Sequence, residues 1–160
     1  MLANNRLLDF SWPVLAFAPA VPSSAVVPLI SLKGYARCAA ALLVKNATIV
    51  TGAAVALVQA KTVAGTPKAL AFDTMFANLD IAAGRLFTKT AVVSNTFTTL
   101  ATDSKNAMYL IDIPMENLDI ANEYDCIGVT LGDATAATIG VLYMPYAPRH
   151  AGQIVDPGAD

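Results

Sequence analysis

Charge is scarce in this chain. Only 14% of its 160 residues are charged, and Glu116 and Glu123 are the only glutamates. Amphipathic helices draw on straight-chain charged residues, so a chain poor in them and rich in Val, Thr, Ala and Asp favours strands and turns. His150 is the only histidine. Sites built on two imidazoles, including the jelly-roll metal site and HExxH zinc sites, are therefore excluded. A Ser-His-Asp triad would have to run through His150, which sits in the tail sequence Pro148-Arg149-His150-Ala151-Gly152, and no GxSxG elbow accompanies it. The two cysteines, Cys38 and Cys126, lie in apolar strand-like runs with no electropositive neighbours to make a thiolate. Pairing them requires distances that sequence does not supply. The reduced state is the expectation, as for a chain that folds in a cytosol.

Long apolar runs, basic stripes and phosphate loops are missing as well. The most apolar region, residues 36–58, is broken by Arg37, Lys45 and Asn46 and falls short of the ~20 apolar residues of a membrane-spanning helix. Arg6 followed by the apolar stretch 10–20 has the outline of a signal peptide, but Asp9, Pro13, Pro19 and Pro22 oppose a helical core, so no cleaved signal is expected. A net charge of −2, with lysines scattered along the chain, offers nothing to neutralise a phosphate backbone. No GxGxxG or P-loop is present. Asp73, Asp80, Asp112 and Asp119 are too dispersed for a hard-cation loop. Glu116 and Glu123, the pair available for glycoside hydrolysis, fall in a polar turn. The expectation is a protein without catalytic, cofactor or metal site, and without direct contact to nucleic acid or membrane.

What the chain does have is apolar surface. It is 56% hydrophobic, with a mean hydropathy of +0.55. A domain of this size buries about two thirds of the surface its unfolded chain exposes, so part of the apolar excess must lie outside the core. Such surface meets other protein subunits. Short apolar or alternating runs recur at 25–30, 35–44, 53–60, 68–72, 85–90, 97–102, 107–113, 125–131 and 139–146. Between them, Lys33-Gly34, Thr51-Gly52, Gly65-Thr66-Pro67, Ser94-Asn95, Asp103-Ser104 and Gly132-Asp133 supply residues that tolerate positive φ or bond their own backbone. This spacing predicts an all-β fold, an antiparallel sandwich or jelly roll with at most one or two short helices. Tyr109, Ile111 and Ile113 should face the core with Met108, Leu110 and Asp112 opposite; Ile127, Val129 and Leu131 should do so against Cys126, Gly128 and Thr130. A helical turn or two is expected in 73–83, where Asp73 or Thr74 caps and Met75, Phe76 and Leu79 share a face.

Two local features complete the pattern. Asn78-Leu79-Asp80-Ile81-Ala82 recurs as Asn117-Leu118-Asp119-Ile120-Ala121, which fits either a duplicated half or a shared turn type. Residues 1–30 carry Phe10, Trp12, Leu15 and Phe17 among several prolines, too apolar for disorder and too proline-rich for a helix or central strand. They read as an extended arm, laid either on the domain's own core or across a neighbour. The expected division is arm 1–30, sandwich 31–149 and tail 150–160. The tyrosines Tyr35, Tyr109, Tyr124, Tyr143 and Tyr146 serve either sheet packing or a partner surface.

The segments Leu32-Lys33-Gly34-Tyr35-Ala36-Arg37-Cys38, Ile111-Asp112-Ile113-Pro114-Met115-Glu116-Asn117-Leu118-Asp119-Ile120, Tyr124-Asp125-Cys126-Ile127-Gly128-Val129 and Leu142-Tyr143-Met144-Pro145-Tyr146-Ala147-Pro148-Arg149 resemble small structural proteins of tailed bacteriophages. The resemblance implies a β-sandwich or jelly-roll subunit of the virion, most like a capsid decoration, or cement, protein. It further implies a homo-oligomer, with a trimer favoured, seated on the major capsid protein at the outer capsid surface after assembly in the host cytoplasm. For such adhesion the chain's own candidates are Phe10, Trp12, Leu15 and Phe17 in the arm, with Tyr146 and Arg149 as a second contact, because aromatic residues and Arg dominate interface energetics. Another virion component, or a secreted carbohydrate-binding sandwich, would share the composition.

Overall fold

The computed structural model describes residues 11–48, 50–149 and 157. Strand β4 (Tyr35–Asn46) organises one side of the molecule. Its inward positions Cys38, Ala40, Leu42 and Val44 are buried, and alternation of this kind commits each strand to one face. Beside it lie β12 (Ala137–Pro148) and β10 (Asn106–Pro114), and the sheet is completed by β1 (Val14–Ala20), β7 (Thr74–Asn78) and β8 (Thr88–Ala91) in the order β1-β12-β4-β10-β7-β8. We call this sheet A. Sheet B has the order β2-β11-β5-β6, from β2 (Ala25–Val26), β11 (Cys126–Leu131), β5 (Ala54–Ala60) and β6 (Lys68–Ala69); β3 (Ile30–Ser31) also pairs with β11, and β9 (Thr96–Thr98) with β5. Every pairing is antiparallel.

The two sheets close over one core, as the alternation requires. Tyr109, Ile111 and Ile113 enter it from sheet A, and Ile127, Val129 and Leu131 from sheet B. The all-β sandwich expected from the sequence is the fold observed, and Tyr35, Tyr109 and Tyr143 are core residues. Cys38 lies in the core between the sheets, whereas Cys126 belongs to a separate small cluster on the far side of sheet B. Both are buried and unbridged, because a sheet stands between them.

One segment departs from its sequence reading, and another settles on one of its two alternatives. The helix expected in 73–83 is instead strand β7, followed by a single 3-10 turn, Ile81–Ala83. Met75 and Ala77 are buried while Phe76 points outward, so the period is two and not 3.6. Pairing on both sides, with β10 and β8, supplies the backbone hydrogen bonds that a helix would have made internally.

From Val14 onward, the segment read as an arm is bonded into the protein's own sheets. β1 runs along β12 with register shifts on either side of Phe17, and Val14, Ala16 and Phe17 pack on the core. Pro19 is tolerated because β1 is an edge strand. β2 and β3 then cross to β11, where Val27, Leu29 and Ile30 are buried.

Candidate contact surface on the outer face of sheet A

The pairing registers place an unbroken row of side chains across the outer face of sheet A. Leu15 lies beside Leu142, Leu142 beside Ala41, Ala41 beside Leu110, Leu110 beside Phe76, and Phe76 beside Lys89. One step along the strands, Leu43 lies between Gly140 and Met108; one step the other way, Ala39 lies between Met144 and Asp112. Leu15 is 64% exposed, Leu43 48% and Phe76 40%. A solvated antiparallel sheet normally alternates apolar-in with polar-out, yet here the outward positions of the central strands are apolar too. That is the pattern of a sheet covered on both faces.

Charge is confined to the margins of this patch. At one end Asp112 is bonded by the Arg37 guanidinium, whose Nε donates to Oδ1 at 3.3 Å. The Tyr146 hydroxyl donates to the same Oδ1 at 2.6 Å and accepts from Arg37 Nε at 2.8 Å. These bonds raise the Arg37 pKa further, while partial burial and the adjacent carboxylate push the Tyr146 hydroxyl up. The triad is thus a neutralised hydrogen-bonded border. At the other end stands Lys45, flanked on its neighbouring strands by Thr138 and Asn106. There a groove of about 290 Å³ runs between Pro19 and Ile81 over Leu43 and Lys45.

The outer face of sheet B is finished differently. Leu29 lies against Gly128 so closely that a Cβ there would sit 2.4 Å from Leu29 Cδ2. Leu29, Val58, Ala60 and Cys126 form the satellite cluster, with Val63 packed on it. The small residues opposite the core face of β11 therefore receive the chain's own Leu29.

The repeated pentapeptide resolves into one turn built twice. Ile81–Ala83 and Ile120–Asn122 are both 3-10 turns ended by a left-handed residue, Gly84 at φ 64° and Glu123 at φ 65°, whose N–H bonds the carbonyl of Ile81 or Ile120. In each, the aspartate before the turn takes a lysine: Lys105 pairs with Asp80, and Lys68 with Asp119 at 2.7 Å. Both carboxyls are held below the usual carboxylate range, chiefly by those lysine hydrogen bonds. Asp80, Asp112 and Asp119 each serve a different cation, which accounts for their failure to converge. Among the described residues no group of three His, Cys, Asp or Glu is placed to hold a metal.

The six candidate contact residues fall in distinct settings. Leu15 belongs to the apolar row, and Tyr146 to its polar border. Trp12 is half-exposed just before β1, whereas Phe17 packs on the core. Arg149 lies beyond the border, its backbone N–H bonded to Gly34 O at 2.7 Å and its guanidinium directed at Met115. Phe10 and His150 lie outside the described residues. Leu43, Phe76, Leu110 and Arg37 were not singled out as contact residues by the sequence. Their signal was the second apolar face of β10, Met108 and Leu110, opposite a face already committed to the core.

No protein-family model matches the chain, and no curated protein does. Among the described residues no helix is long and apolar enough to cross a membrane. Among solved structures, the chain is similar to the SPBc2 prophage-derived protein YomS, with a TM-score of 0.45 and 10% identity over 86% of this chain and 93% of that one.

Proposed function

We propose that this chain is a non-enzymatic structural protein of a phage virion that decorates and stabilises the capsid through contacts between subunits. The observation that carries this reading is the outer face of sheet A, apolar across five strands and bordered by charge. The resemblance of segments 32–38, 111–120, 124–129 and 142–149 to phage structural proteins supports it from the sequence side. Function here is adhesion: each ~100 Å² of apolar surface removed from water contributes about 2.5 kcal/mol before ordering costs, and repetition over a shell multiplies it. The partners are further copies of the chain and the major capsid protein, and the place is the outer capsid surface. Purified virions should contain the chain in fixed stoichiometry by mass spectrometry. Particles lacking it should release their DNA at lower temperature and recover when the purified protein is added back. Virions without the chain, or with unaltered heat stability in its absence, would overturn the assignment.

A further inference from the structure

We infer that the free edge of β8 pairs with the β8 of a second copy of this chain, antiparallel about a two-fold axis normal to sheet A, so that the sheet runs on from one subunit into the next. This rests on reading the chain as one that meets copies of itself, and it names the contact. Exposed apolar side chains concentrate on the β7–β8 hairpin: of the eleven large hydrophobics exposed among the described residues, Phe76, Leu79, Ile81, Leu86, Phe87 and Val93 lie between the start of β7 and the turn after β8. Leu86 and Val93, 87% and 89% exposed, flank β8 at its two ends. Among the described residues β8 pairs with β7 alone, in a register without shifts. The Val92 N–H bonds Asp73 O on the β7 side, so by alternation the N–H and C=O of Lys89, Ala91 and Val93 point out from the sheet edge. Other edges offer less: β1 has register shifts and Pro19, which carries no N–H, β2 and β6 are two residues each, and at β3 the Ser31 N–H is already bonded by Pro157 O.

The register follows from the side chains. Two-fold antiparallel pairing sets like-facing residues opposite each other, which leaves registers centred on Lys89, Thr90 or Ala91. Centring on Lys89 sets two lysines against each other. Centring on Ala91 carries Phe87 out to Asn95, in the turn. Centring on Thr90 puts Lys89 opposite the partner's Ala91 and, one step beyond, Phe87 opposite the partner's Val93, each contact occurring on both sides of the axis. The Lys89–Ala91 pairs exchange their N–H···O bonds, and Lys89 penalises the wrong register without blocking this one. Main-chain bonds supply the affinity of such strand addition, and the flanking apolar pairs its specificity.

The test uses the full chain alone, without virions or capsid protein. In light scattering and analytical ultracentrifugation the wild type should pass from monomer to dimer with rising concentration. Ala91→Pro removes an N–H that β7 does not use, so circular dichroism and melting should hold while association weakens about a hundredfold. Leu43→Asp, at an exposed position on the outer face of sheet A, should associate as wild type does. Single cysteines read the register independently of the proline. Thr90 meets its own copy on the axis as a non-hydrogen-bonded pair, with Cα atoms about 4.5 Å apart, inside the span of a disulfide. Under mild oxidation Thr90→Cys should therefore cross-link between chains about tenfold faster than Lys89→Cys or Ala91→Cys. The native thiols are buried and do not compete. A monomer at every concentration overturns the inference, as does a dimer or trimer that survives Ala91→Pro, equal loss in Leu43→Asp, or cross-linking that is fastest in Lys89→Cys or Ala91→Cys. If Ala91→Pro does not fold, the cysteine series decides. Because no virion enters this experiment, its failure leaves the virion assignment to the particle measurements.

Discussion

Two buried tyrosines show how differently the same hydroxyl can be used. The Tyr109 hydroxyl accepts the Leu100 N–H at 2.7 Å, whereas the Tyr143 hydroxyl, buried close to the Val129 backbone, makes no hydrogen bond of normal geometry. Burial pushes both phenols up, and Tyr143 far more. Removing one partner of a buried hydrogen bond costs about 1–3 kcal/mol, while removing a polar atom that has none costs little or stabilises. Tyr109→Phe should therefore lower the denaturant midpoint, and Tyr143→Phe should leave it unchanged or raise it; equal losses in chemical denaturation would contradict this geometry. The thiols make a second test. Burial pushes the Cys38 thiol up, and Cys126 is enclosed by Leu29 and Val58. Neither should react with an aromatic disulfide reagent in the native protein, and two thiols per chain should appear in denaturant.

At the scale of elements, most strands were legible because their core faces alternate. The runs at 107–113 and 125–131 became β10 and β11 with the expected residues inward. β7 was not legible: Met75, Phe76 and Leu79 fit one helical face, and only the neighbouring β10 and β8 decide the period. β1 was obscured by its prolines, which an edge strand tolerates. Deleting residues 1–22 should accordingly destabilise the fold by exposing the edge of β12 and the core contacts of Val14 and Phe17, and a truncated protein that melts like the full chain would contradict that pairing. The repeated turns set an acid dependence. Since Asp80 and Asp119 titrate lower in the folded state, their contribution is complete above the unfolded carboxylate value of about 3.9 and is lost as pH falls through the folded values. Lys68→Met and Lys105→Met should thus melt below wild type at neutral pH and converge with it in acid. The pentapeptide was visible in the sequence, but its lysines were not, because Lys105 follows Asp80 by 25 residues and Lys68 precedes Asp119 by 51.

For the molecule as a whole, the core was legible and the contact surface only half so. Leu15 was found through the arm, but Leu43, Phe76 and Leu110 join it only once the register across sheet A is known. Trp12, the only tryptophan, stands half-exposed where the chain enters β1. The lid that Leu29 places on sheet B has an engineering consequence. With one broad face closed by Leu29 and the other carrying exposed Leu15, Leu43 and Phe76, the two faces of the subunit are chemically distinct. A peptide grafted onto the sheet B side should therefore leave the exposed apolar row of sheet A unaltered.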